Sequence, residues 1–221
     1  MLSIAVSVAT AVLTTLAAVT VSYLLFPIGG IKVEGAQMFP ESQAWEALPK
    51  YSSLITLNTD VFGRRIKSNP WVKDVKVIKD WDSGIVTVEV EERKAVLDGD
   101  LGDRKVVLAA DGTELPSLGG AELKQVGLDE VQLEEIMSVL VVLEENEVVL
   151  DSIDDIGAGG VEGTVAGRSV LFSREVESLQ AQALKSLMNK YPDAPYFDLR
   201  SPNRVVVGTG LGSHSIQVSD G

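Results

Sequence analysis

Residues Leu2 to Phe26 carry no charge, and Ser, Thr and Tyr are their only polar types. A run of that length matches the ~20 helical residues needed to cross a hydrocarbon core of ~30 Å at ~1.5 Å per residue. A cleaved signal peptide is the rival reading, but the run lacks a positive leading region and exceeds the usual length of a signal core. An uncleaved anchor is therefore expected. No Lys or Arg precedes the run and Lys32 is the first to follow it, so the positive-inside rule gives no orientation. Tyr23 suits an interfacial position, and Pro27, Gly29 and Gly30 end the helix. With 1–30 set aside as anchor and short linker, roughly 190 residues remain, enough for one large domain or two modest ones.

Composition then removes whole classes of function. A net charge of −13 argues against nucleic acid, whose recognition depends on a basic surface. The absence of cysteine excludes disulfides, thiolate nucleophiles and cysteine-ligated metals. The single histidine, His214, falls in a Gly- and Ser-rich tail with nothing to hold it in a catalytic geometry. Gly208 to Ser213, GTGLGS, lacks the following helix that a phosphate-binding loop requires. Asp98, Asp100 and Asp103 lack the downstream Glu of a calcium loop and are expected in a solvated turn. No catalytic, cofactor-binding or metal-ligating residue is expected, and no cofactor.

The stretch from Ile31 to Arg93 shows a β-α-α-β-β order. IKVEG is a strand ending at a turn glycine, and Pro40 opens a helix that Pro49 stops. Asn58 or Thr59 caps a second helix whose Val61, Phe62 and Ile66 face inward. The strands VKDVKVIKDW and IVTVEVEER follow, joined at Asp82, Ser83 and Gly84. In them Val75 and Val77 share one face, as do Val86, Val88 and Val90. Arg64, Arg65, Lys67, Lys73, Lys76 and Lys79 concentrate basic charge here, as an attractor for acidic partners or headgroups, or as an ordinary solvated face. Strict alternation does not put Lys73, Lys76 and Lys79 together, so one basic surface needs a bulge. Trp71 and Trp81 are expected as core or staple residues and not as exposed anchors.

From Lys94 to Gly208 short strands alternate with two helices. A hairpin turns at Asp111 and Gly112, another at Ala166 and Gly167. One helix runs from Asp129, its cap, to Glu145, with Leu133, Ile136, Met137, Leu140 and Val141 as its apolar stripe. Another runs from about Ser173 to Lys190 with Val176, Leu179, Ala183, Leu184 and Leu187. The strands PYFDLR and NRVVVG close the unit, and 209–221 is expected to be a flexible tail. The edge of Arg204 to Gly208 is open to a strand from another chain, unless SIQV, Ser215 to Val218, closes it. If it is open, Val206→Pro abolishes partner capture and leaves the fold intact.

Pro70, Trp71, Val72, Val75, Val77, Trp81, Glu92 and Arg93, behind a charge-free anchor, resemble the signature of the FtsQ/DivIB family of bacterial division proteins. Asp198, Leu199 and Arg200 followed by Val205, Val206 and Val207 are similar to the end of that family's second domain. The resemblance implies an α+β chain: a transmembrane helix, a POTRA-type domain at 31–93, and at 94–208 a mixed "β domain" with a mostly antiparallel sheet. It also implies a non-enzymatic divisome scaffold at the septal plasma membrane, with a cytoplasmic N-terminus and extracytoplasmic domains. FtsB-type and FtsL-type partners would dock at Asp198, Leu199, Arg200, Arg204, Val205, Val206 and Val207. POTRA units also serve in secretion and envelope assembly, which would predict tandem repeats or a barrel. The family's charged cytoplasmic tail is not seen ahead of the anchor.

Overall fold

The computed structural model describes residues 2–201, 204–209 and 212–217. The chain divides into two compact units, residues 1–93 and 94–221.

In the first unit α1, Leu2–Leu25, is long and apolar enough over Ser7–Leu25 to cross a membrane. The chain then enters β1, Gly30–Glu34, and two short helices, α2 at Glu41–Ala47 and α3 at Thr59–Ile66. Pro40 sits at the N-cap of α2, and Asn58 caps α3 by accepting the Val61 N–H. Strands β2, Val72–Lys79, and β3, Ile85–Glu92, complete a sheet of order β1-β3-β2, with β1 parallel and β2 antiparallel to β3. Ile31, Phe39, Leu54, Leu57, Phe62, Ile66, Val72, Val86, Val88 and Val90 form one buried core, on which Val75 and Val77 lie half-buried. The helices cover one face of the sheet, because every second residue of β3 is apolar and needs that cover. Contrary to the expectation of a core or staple residue, Trp81 is 54% exposed, while Trp71 is buried at 6%.

The second unit begins with β4, Ala95–Asp100, β5, Lys105–Ala109, β6, Glu114–Leu115, and β7, Gln125–Gly127, in a sheet of order β6-β5-β4-β7. Asp98 and Asp100 therefore stand in a strand and not in a turn. Helix α4, Glu130–Glu145, starts from a capping box in which Asp129 and Gln132 bond each other's backbone N–H. Its buried residues are Leu133, Ile136, Val139, Leu140 and Leu143, whereas Met137 and Val141 are exposed. Strands β8, Ser152–Gly157, β9, Gly160–Val165, and β10, Arg168–Phe172, lead into α5, Ser178–Lys190, and then into β11, Tyr196–Ser201, β12, Arg204–Thr209, and β13, Gly212–Gln217. The order is β13-β12-β11-β10-β9-β8, with β10 and β11 parallel across α5 and the other pairs antiparallel. One apolar core joins α4, α5 and the inward faces of both sheets. The fold class is thus α+β, an apolar helix followed by a β-α-α-β-β unit and a mixed unit.

A buried side chain fixes the start of α5. Gln180, 3% exposed, accepts the Glu177 N–H at 2.9 Å and donates from Nε2 to the Leu199 carbonyl at 2.8 Å. Gln180→Leu would strand both backbone groups, and the expected loss is about 1–3 kcal/mol, measured as a lower denaturation midpoint of the full chain in detergent.

Candidate interaction surfaces

The basic residues of the first unit do not form one surface. A register shift lies between Val72 and Asp74, and beyond it strict alternation resumes. Val75, Val77 and Lys79 therefore share the helix-covered face, and Asp74, Lys76 and Ile78 the other. Lys79 turns its ammonium onto the carbonyls of Leu54, at 2.7 Å, and Leu57, at 2.6 Å, and burial pushes its pKa below the ordinary lysine value. Lys76 pairs with Glu89 at 3.0 Å, Lys67 with Asp74 at 2.8 Å, and Lys73 with Glu91 at 3.9 Å. The Lys67 hydrogen bond, with the Val75 N–H, holds Asp74 below the usual carboxylate range. Arg65 donates to the Ala47 carbonyl at 3.2 Å, and Arg64 is exposed on α3. Acids of β2 and β3 thus neutralise Lys67, Lys73 and Lys76 locally, while Lys79 and Arg65 are taken up by backbone carbonyls.

The signature residues have structural work. Arg93 donates from one guanidinium nitrogen to the carbonyls of Pro70 and Val72, and its N–H reaches the Trp71 carbonyl at 2.8 Å. Glu92 gathers three backbone N–H groups, of Gln37 at 2.9 Å, Met38 at 2.7 Å and Phe39 at 2.7 Å. Glu92 thus ties the end of β3 to the loop leading into α2, and Arg93 ties it to the start of β2, both at the same end of the sheet.

In the second unit the expected open edge is occupied. β12 pairs with β11 on one side and β13 on the other, from Arg204 opposite Gln217 to Thr209 opposite Gly212. Residues 212–217 are therefore a strand and not a flexible tail, and of the GTGLGS segment Gly208 pairs with Ser213 and Thr209 with Gly212; 210–211 and 218–221 lie outside the described residues. The physical reason is backbone pairing. Three consecutive valines form a strong strand, and the ladder they offer is filled by the segment that follows within hairpin reach. The alternative closure by SIQV is the one adopted, over Ser215–Gln217, with Val218 outside the described residues.

The partner residues expected at this edge divide by face. Leu199, Val205 and Val207 are buried at 1%, 1% and 0%, so they hold the core and cannot meet a partner. Asp198, Arg200, Arg204 and Val206 lie on the opposite, outward face. Arg200 clasps Asp198 through two bonds, Nε to Oδ1 at 2.9 Å and a terminal nitrogen to Oδ2 at 2.6 Å. That clasp, with Arg204 nearby, holds the Asp198 carboxyl below its usual range. Arg200 is thus committed within its own strand. Beside it the Tyr196 ring lies across Gly208, where an added Cβ would stand 2.3 Å from the ring carbons. Among the described residues β13 is the outermost strand at this end of the sheet, with no described strand paired to its outer edge. Among the described residues no group of three or more His, Asp and Glu side chains is placed to hold a metal ion.

Residues 26–93 match the family model described as POTRA domain, FtsQ-type. The matched segment ends at Arg93, where the first compact unit ends. No curated protein matches the chain.

Proposed function

An FtsQ-type POTRA domain directly behind an apolar helix supports an FtsQ/DivIB-family protein, and from that premise we propose that the chain is a non-enzymatic, single-pass membrane scaffold of the bacterial divisome. Its N-terminus is cytoplasmic and both folded units are extracytoplasmic, at the septum. The observation that carries the reading is the match of the whole β-α-α-β-β unit, from the end of α1 to Arg93. Anchoring confines the units to a layer at the membrane surface and so raises their effective concentration toward FtsB-type and FtsL-type proteins held in the same membrane. The partner contributes a strand at the β13 end of the six-stranded sheet, where main-chain bonds supply affinity. Arg204 and Val206, on the outward face of neighbouring β12, supply side-chain contacts.

The test is recovery of the full chain from membranes of its own cells in mild detergent, with mass-spectrometric identification of what accompanies it. FtsB-type and FtsL-type proteins are expected. Recovery with an outer-membrane or secretion pore instead would overturn the proposal.

A further inference from the structure

We propose that the loop between α2 and α3, with Trp81, is a second membrane contact, a foot seated in the lipid headgroup layer beside the end of α1. Position comes first. The Ser22 and Ser53 hydroxyls are bonded to each other, the Leu54 N–H donates to the Phe26 carbonyl at 3.0 Å, and Pro27 bridges Ser53. Ser22 lies four residues before Phe26, or ~6 Å deeper along a helix rising ~1.5 Å per residue. Ser53 is therefore held level with the last turn of α1. Where α1 crosses a bilayer, this loop meets the bilayer's edge.

Chemistry agrees with position. Tyr51 to Thr59 contains no charged residue. Tyr51 is 80% exposed, Ile55 52% and Trp81 54%, and the Trp81 ring stands edge-on to Phe26 with centroids 6.3 Å apart. Tyr51 adopts a φ of 62°, unusual for a bulky residue, in presenting its ring outward. Tyr and Trp favour the boundary between headgroups and acyl chains, where an apolar ring is covered and a polar tip stays wet. Exposed Lys50 stands beside the loop, able to reach lipid phosphates. A foot and a helix together fix the tilt of the first unit on the membrane.

The inference rests on α1 spanning the membrane, which fails separately if the full chain does not sediment with vesicles. Since the chain has no cysteine, Ile55→Cys carries a single nitroxide label, and Glu91→Cys, six residues beyond Ile85 along β3, serves as control. Each full chain is placed in phosphatidylcholine–phosphatidylglycerol vesicles, and collision with dissolved oxygen is compared with collision with an aqueous nickel complex. The label at 55 is expected to favour oxygen and that at 91 nickel. A label at 55 as open to nickel as the one at 91, or shielded from both reagents, overturns the proposal. A second measurement leaves the loop unaltered: in a W45F chain, lipids brominated on their acyl chains should dim the emission, and adding W81F should abolish that loss. Emission indifferent to the brominated lipid overturns the foot as well.

Discussion

Glu92→Ala is expected to destabilise the first unit by about 3 kcal/mol, with the damage centred on the chain from Gly35 to Phe39. The Glu92 carboxylate is the shared acceptor for the N–H groups of Gln37, Met38 and Phe39. Two of these donors are partly buried, and a bond to a charged acceptor is worth about 1.5 kcal/mol each. The turn leading into them has no slack. Gly35 has a φ of +80° and comes so near β3 that a Cβ there would lie 2.4 Å from the Val90 carbonyl oxygen. Without the carboxylate, Phe39, a core residue 4% exposed, loses its backbone tether. Chemical denaturation of the full chain in detergent, followed through buried Trp71, measures the loss. Hydrogen exchange at 37–39 should accelerate in the same protein, and Glu92→Gln, which keeps one acceptor oxygen, should fall between. Wild-type stability in the Ala variant would show that water replaces the carboxylate at no cost.

Truncation after Thr209 is expected to abolish capture of FtsB-type and FtsL-type partners while leaving the second unit folded. The truncation removes β13 and keeps every member of the apolar core among the described residues, the last of which is Val207. Retained or increased capture would instead place the partner directly on β12, with β13 as its competitor. The same topology changes what Val206→Pro tests. Val206 faces Asp198 on one side and Ser215 on the other, so β12 is an interior strand. Proline there removes a ladder donor from the sheet and is expected to destabilise the unit, which the truncation does not.

Sequence alone revealed most of the architecture, and the misses share physical causes. The caps Asn58 and Asp129 and the turn at Ala166 and Gly167 were legible because each is a local backbone demand met by a nearby side chain or a small residue. The rotation of α4 was not. Its run from Ile136 to Leu143 is apolar almost all round, so period alone cannot choose Val139 and Leu143 over Met137 and Val141. Helix α5 begins at Ser178, five residues after the expected Ser173, because the buried Gln180 binds the Glu177 backbone and sets the first turn there. The direction of Lys79 depends on two carbonyls more than twenty residues away in sequence, beyond any local pattern. β13 was foreseen only as the alternative in which SIQV closes the edge, for a related reason. Its pairing is made by backbone groups, to which a Gly- and Ser-rich composition gives no clue. Of the candidate partner residues, position in the chain was legible, whereas the division into buried Leu199, Val205 and Val207 and outward Asp198, Arg200, Arg204 and Val206 required the register of β11 and β12.

The central claim is that this chain acts by holding other membrane proteins. Its most direct test is to place the purified full chain in lipid nanodiscs with a purified FtsB-type and FtsL-type pair and follow them by size-exclusion chromatography with light scattering. A single species whose mass is that of the chain and the pair together is the expected result. Elution of the chain and the pair as separate species would contradict the account.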